Sequence, residues 1–144
     1  MHVNPGKRQF RALVDAPRGE GPIFMINLLR FRQNALYPAN HKQAGAGLSG
    51  RQAYGLYGAE SEAVFTRVGG RQVWAGAPRL VVTGPEDETW DLAFIAEYPT
   101  VQAFLDMLAD PIYREAVAHR TAGVEDSRLI RCLGMQPGKG FMPA

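Results

Sequence analysis

A few side chains in this sequence stand where they can do chemistry near neutral pH. The pair His119-Arg120 joins the side chain that ordinarily titrates closest to pH 7 with a permanent cation able to grip a carboxylate in two places. His119 follows Ile112 by seven residues and Ala116 by three, which on a helix gives all three one face. It is the candidate catalytic acid or base, and Arg120 would anchor a ligand carboxylate or pair with Glu97. The same two residues at a helix end are also explained by their attraction to the helix dipole. Asn27 interrupts an apolar run, where its amide must either tie a buried backbone group or face a ligand. Tyr54 and Tyr57 fit as core aromatics with satisfied hydroxyls, or with Asn27 and Arg30 as the lining of one cavity between helix and sheet. The candidate substrate-binding set is therefore Asn27, Arg30, Tyr54, Tyr57, Glu97 and Arg120.

Other patterns point to structure more than to chemistry. Gly45-Ala46-Gly47-Leu48-Ser49-Gly50 satisfies G-x-G-x-x-G before a helix, but it does not follow its strand directly and no second parallel strand carries an acidic ribose ligand. We read it as a flexible loop and a capped helix. Asp126-Ser127 lacks a nucleophile elbow, so a cap or turn role is expected in place of a hydrolase triad with His119. His2, His41 and His119 have no spacing that puts two metal ligands on one face, and neither metal nor cofactor is expected. Cys132, the single cysteine, excludes an intrachain disulfide and is expected to be a small buried residue.

The elements that position these residues follow from hydrophobic periodicity and capping signals. Asn4 as N-cap and Pro5 at the first helical position start a short helix running to Val14. Ile23–Phe31 is apolar at nearly every position, as for a strand covered on both faces. A long loop from Arg32 to Gly50, a candidate lid, leads to Ser49 and Gln52, a capping box, and then to an amphipathic helix ending at Gly69-Gly70. Gly55 and Gly58 inside that helix predict close approach of a neighbour. Arg71–Gly76 and Arg79–Thr83 are expected as two halves of one bent strand, with Trp90–Tyr98 as its antiparallel partner. Along that partner Leu92, Phe94 and Ala96 share one face, and Ala93, Ile95 and Glu97 the other. Thr100 caps one helix and Asp110-Pro111 starts another, which Gly123 stops; Ser127–Leu133 closes the pattern as a strand.

Strand, helix, strand, strand, helix, strand is the order of a ferredoxin-like βαββαβ sandwich, here with an extra N-terminal helix. Its class is α+β. One sheet face carries the helices; the other, with Trp74, Phe94 or Ile95, and Ile130, needs a cover that a second copy of the chain would supply. A homodimer is expected, with a higher oligomer left open.

At 144 residues, with 46% hydrophobic and 21% charged residues, the chain fits one globular domain and excludes whole-chain disorder. We expect residues 1–21 to form an N-terminal extension, 22–133 the core and 134–144 a flexible tail. Sixteen basic against fourteen acidic residues give a net charge of +2, and the cations Arg8, Arg11, Arg30 and Arg32 are scattered, so a nucleic acid partner is not expected. No apolar run reaches the ~20 residues of a membrane span, and no secretory signal is visible, so a cytoplasmic protein is expected.

Several segments resemble the family called domain of unknown function 1330. They are Met25–Phe31, Ala53-Tyr54-x-x-Tyr57, Gly69-Gly70-Arg71-x-Val73-Trp74, Trp90–Pro99, Phe104-x-x-Met107, Asp110-Pro111-x-Tyr113-Arg114 and His119-Arg120. The resemblance runs from roughly Pro22 to Leu133. It implies a dimeric α+β barrel in which two ferredoxin-like subunits pack sheet to sheet, and it lends no reaction. The N-terminal helix and the Arg32–Gly50 insertion depart from the shortest members. The expected function is binding or transformation of a small organic acid or aromatic metabolite by acid/base chemistry. The alternative is a non-catalytic small-molecule-binding or structural dimer module.

Overall fold

The computed structural model describes residues 1–144. The elements in chain order are α1 (Lys7–Val14), β1 (Ile23–Phe31), α2 (Gly50–Arg67), β2 (Arg71–Gly76), β3 (Leu92–Tyr98), α3 (Val101–Ala109), α4 (Pro111–Gly123) and β4 (Val124–Leu133). The four strands form one antiparallel sheet in the order β2-β3-β1-β4, the ferredoxin-like arrangement expected from the element order. The sheet is open, with β2 and β4 as edges.

Local signals set most helix boundaries. The Ser49 hydroxyl accepts from the Gln52 N–H at 3.1 Å while the Gln52 side chain accepts from the Ser49 N–H at 2.9 Å, a reciprocal cap that starts α2. Thr100 caps α3 through the Ala103 N–H, and Asp110 caps α4 ahead of Pro111. The first helix begins later than expected, at Lys7 after Gly6, because the Gln9 side chain satisfies the Gly6 N–H there.

Three expectations are corrected. Arg79–Thr83 forms no strand: Gly76 already pairs with Ala93, next to the start of β3, so no partner backbone remains, and Leu80 and Val82 are exposed. Within a single chain β1 is covered on one face only, with alternate residues Ile23, Met25 and Leu29 buried and Phe24, Ile26 and Leu28 half-buried. Gly55 and Gly58 face open space; the close approach falls instead at Gly50 and Gly123, where a Cβ on either would collide with the other's carbonyl oxygen. There the backbones of Arg32, Gly50 and Gly123 are joined by hydrogen bonds of 2.8 and 3.0 Å, which pin α2 against α4.

Strand register sorts the sheet into two faces. Towards the helices point Met25 and Asn27 of β1, Phe94 and Ala96 of β3, and Leu129 and Arg131 of β4. On the outer face Trp74, Ile95, Ile26 and Ile130 pair in one continuous row across all four strands. Phe94 thus belongs to the inner face and Ile95 to the outer. The main core lies at the end of the inner face near Ile23 and Tyr98, where Val64, Val101, Phe104 and Met107 close over it. Residues 134–144 form no helix or strand and are exposed. No helix is long and apolar enough to cross a membrane.

Candidate functional site

α2 and α4 pack closely on each other but meet the sheet at few points, and the space between holds a cavity of about 1190 Å³. Twenty of its thirty-four lining residues are hydrophobic, so it suits a ligand with a large apolar body. From α2 come Tyr54, Tyr57, Ser61 and Phe65, at spacings of three and four that keep them on one stripe. From α4 come Tyr113, Val117 and Arg120. The N-terminal segment, including Val3, Phe10 and Leu13, covers the open side along the β4 edge.

The polar groups of the cavity include phenols, cations and the Asn27 amide. The Tyr57 and Tyr113 hydroxyls lie 2.8 Å apart, and the Tyr54 ring packs 5.2 Å from that of Tyr57. Burial pushes the Tyr54, Tyr57 and Tyr113 phenols well above their ordinary range, while the positive charge of Arg120 pulls all three the other way. They remain neutral hydrogen-bonding groups at physiological pH. Arg120 donates to the Val3 carbonyl at 2.6 Å and reaches the Ser127 hydroxyl at 3.5 Å, and it has no carboxylate partner. Asn27 ties a backbone group, its amide donating to the Met25 carbonyl at 3.0 Å, and it also lines the cavity.

Of the expected site residues, the fold therefore gathers Asn27, Tyr54, Tyr57 and Arg120. It does not gather the other three. Glu97 lies on the outer face and pairs with Arg71 at 2.6 Å, not with Arg120. Arg30 points away from the cavity and is held by Glu125 at 2.9 Å. His119 is buried, 2% exposed, yet lines no part of the cavity. Helical geometry explains the difference: seven residues bring Arg120 back to within about 20° of the Tyr113 direction, whereas His119 lies about 120° round the helix.

His119 instead meets the loop before α2. Its Nδ1 lies 2.7 Å from the Tyr37 hydroxyl and its Nε2 3.0 Å from a Glu60 carboxylate oxygen. Burial, and then the Glu60 charge, push the Tyr37 phenol up, so Tyr37 keeps its proton and shares one hydrogen bond with Nδ1, while Nε2 faces the Glu60 carboxylate. The His41 ring stacks on Tyr37 at 4.7 Å. The 32–50 loop is thus fastened to the outside of α4, with further backbone bonds from Arg32 and Leu36, and none of it lines the cavity. The expected lid is corrected accordingly: the N-terminal segment covers the cavity.

Asp126 and Ser127 also serve structure. Asp126 accepts from the His2 N–H at 2.9 Å, and the Ser127 hydroxyl donates to the His2 carbonyl at 2.7 Å. Cys132 is half-buried on the outer sheet face, not enclosed, because it sits on the edge strand β4. Nowhere do three His, Cys, Asp or Glu side chains converge in a way that would hold a metal ion. Sequence reasoning missed Tyr113 and Arg131 as cavity residues; the spacing Tyr113, Val117, Arg120 was the available signal for the first.

The family model described as Domain of unknown function (DUF1330) matches residues 47–132. The chain belongs to this family. The match takes in α2 through most of β4, and Met25–Phe31 precedes it. Two solved structures share 49% identity with the chain. One is the methylated RPA0582 protein, covering 96% of this chain and 98% of that one with a TM-score of 0.88. The other is the RPA0582 protein of unknown function from Rhodopseudomonas palustris, covering 94% and 98% with a TM-score of 0.86. SnoaB, a cofactor-independent oxygenase from Streptomyces nogalater, is 16% identical, with coverage of 83% and 99% and a TM-score of 0.52; the likeness is one of fold alone. No curated protein matches the chain.

Proposed function

We propose that this DUF1330 protein binds an apolar, largely aromatic organic acid in the cavity between its helices and sheet, with Arg120 holding the carboxylate. The observation that carries this reading is a partly buried guanidinium without an anionic partner on the wall of a mostly hydrophobic space. A cation removed from water is costly unless an anion or several acceptors replace its hydration, and here one carbonyl and one distant hydroxyl do so. The Tyr57–Tyr113 pair has one hydroxyl proton left for a ligand oxygen after their mutual bond, and Asn27 offers its amide oxygen. Binding is favoured over acid/base turnover because His2 and Glu62, the only imidazole and carboxylate on the lining, are exposed. His119 serves in this reading as the fastening of the 32–50 loop.

The test is a thermal-shift screen of aromatic and aliphatic carboxylates against the wild type and Arg120→Gln. Saturable stabilisation by an acid, lost in the variant but absent with the matching amide, is the expected result. If no acid stabilises the wild type, or if Arg120→Gln responds equally, the reading fails.

The same proposal includes a homodimer sealed through the outer sheet face. Trp74 is 54% and Ile130 49% exposed, and with Ile95 and Ile26 they make an unbroken apolar band. Sedimentation should show a dimer at micromolar concentration that Ile130→Glu converts to monomer; a wild-type monomer would refute it. Its lone free thiol, Cys132, suits a reducing compartment, and a cytoplasmic location belongs to this proposal.

A further inference from the structure

We infer that the cavity ligand carries a second acidic group, and that Arg131 receives it. This rests on the reading of the cavity as an acid-binding site and extends it from one anchor to two. Arg131 lies on the inner face of β4, in the same row as Met25, and lines the cavity. Its Nε is buried with no hydrogen-bond partner, a deficiency that native structures rarely leave unfilled. Its Nη2 is engaged by Glu20 at 3.0 Å, so that carboxylate serves one nitrogen of the guanidinium and leaves Nε without an acceptor.

Position along the strand sets the shape of the ligand. Ser127, Leu129 and Arg131 alternate on one face, so a hydroxyl next to Arg120, an aliphatic side chain and a guanidinium follow one another across five residues, or four steps, of β4. That is roughly 13 Å of extended chain. A ligand with an apolar body lying over Leu129 and an acid at each end would satisfy both cations at once. Every oxygen that now serves the two guanidiniums, apart from the Ser127 hydroxyl, comes from the N-terminal segment: Val3 supplies a carbonyl at Arg120 and Glu20 a carboxylate at Arg131. Between these two tethers α1 covers the cavity without a single buried residue. The segment therefore places oxygens at both ends of the space and leaves its middle weakly held, as suits a cover that shares its anchors with the ligand.

The experiment is calorimetric titration of the full-length protein with two matched pairs of probes. One is sebacate against decanoate; the other is the para,para-linked biphenyl dicarboxylate against the biphenyl monocarboxylate. The diacid of at least one pair should bind about 10-fold tighter than its monoacid, the return on one added charge-assisted bond to arginine. Arg131→Gln should erase that advantage by weakening the diacid about 10-fold more than the monoacid, and Glu20→Gln should tighten the diacid by freeing the guanidinium. Arg131 is half-buried on an edge strand, so the variant's melting temperature should stay near wild type and confirm folding. If monoacids bind as tightly as diacids, or if Arg131→Gln changes both alike, the second anchor is wrong while acid binding through Arg120 stands. If neither class binds, both fall.

Discussion

The buried phenols make a strong prediction about alkaline stability. Tyr54, Tyr57, Tyr98 and Tyr113 all have pKa values raised chiefly by burial. A group whose native pKa lies above its unfolded value stabilises the fold fully below the unfolded pKa and ceases to do so as pH rises towards the native one. For tyrosine the window opens near pH 10. Above it each phenol ionises in the unfolded chain but not in the native one, at about 1.4 kcal/mol per pH unit, so four together remove roughly 5–6 kcal/mol per unit. Against a typical domain stability of about 5–15 kcal/mol, cooperative unfolding is expected between about pH 11 and 12. Tyr57→Phe sharpens the test. At pH 8 it loses the 2.8 Å bond to Tyr113, costing about 1 kcal/mol, but it removes one phenol from the alkaline penalty. The variant should be less stable than wild type at neutral pH and more stable above about pH 11. Urea titrations followed by circular dichroism at a series of pH values, with tyrosinate absorbance in parallel, measure both curves. Tyrosinate rising smoothly around pH 10 in a still-folded protein, or two curves that never cross, would show that water in the cavity solvates these phenols and that their burial is misjudged.

Further expectations concern the parts that hold the site in place. Gly50→Ala should destabilise by about 1–3 kcal/mol or more, since its Cβ meets backbone of Arg32 and Gly123 that cannot yield, whereas Gly55→Ala should stabilise by about 0.5–1 kcal/mol in open space; urea midpoints compare them. His119→Phe should cost about 1–3 kcal/mol by stranding Tyr37, and should speed tryptic cleavage at the exposed Lys42 without changing acid binding; lost binding would return His119 to the site. Burial raises the Asp126 carboxyl, but the His2 N–H, Arg128 and the Ser127 N–H outweigh it and hold the group below the ordinary range. Its contribution should therefore be present above about pH 4 and fade as pH falls further, so Asp126→Asn and wild type should converge in acid urea titrations.

Much of the fold was legible because its signals are local. The Ser49–Gln52 cap, Thr100, and Asp110-Pro111 each satisfy helix-end backbone groups within a few residues, and the alternation from Leu92 to Glu97 assigns faces without knowledge of any partner. Arg79–Thr83 was misjudged because strand character is completed only by a partner backbone, and the pairing between β2 and β3 stops at Gly76 and Ala93. The site was half legible. Tyr54 and Tyr57 share the stripe that spacing assigned them, but on α4 two stripes were available: Ile112, Ala116, His119 and Tyr113, Val117, Arg120 have the same periodicity.

The residue pattern by itself determined the elements, their order, the antiparallel sheet that this order implies, and the identity of Arg120, Asn27, Tyr54 and Tyr57 as groups with chemistry to offer. Only the tertiary structure decided which α4 stripe faces the sheet, because periodicity states which side chains share a face but not what that face meets. That choice is made where Gly50 and Gly123 bring α2 and α4 together and turn His119 towards the 32–50 loop. It was also the tertiary structure that laid His2 and Val3 over β4 and the end of α4, through bonds spanning more than a hundred residues of chain that no local spacing encodes.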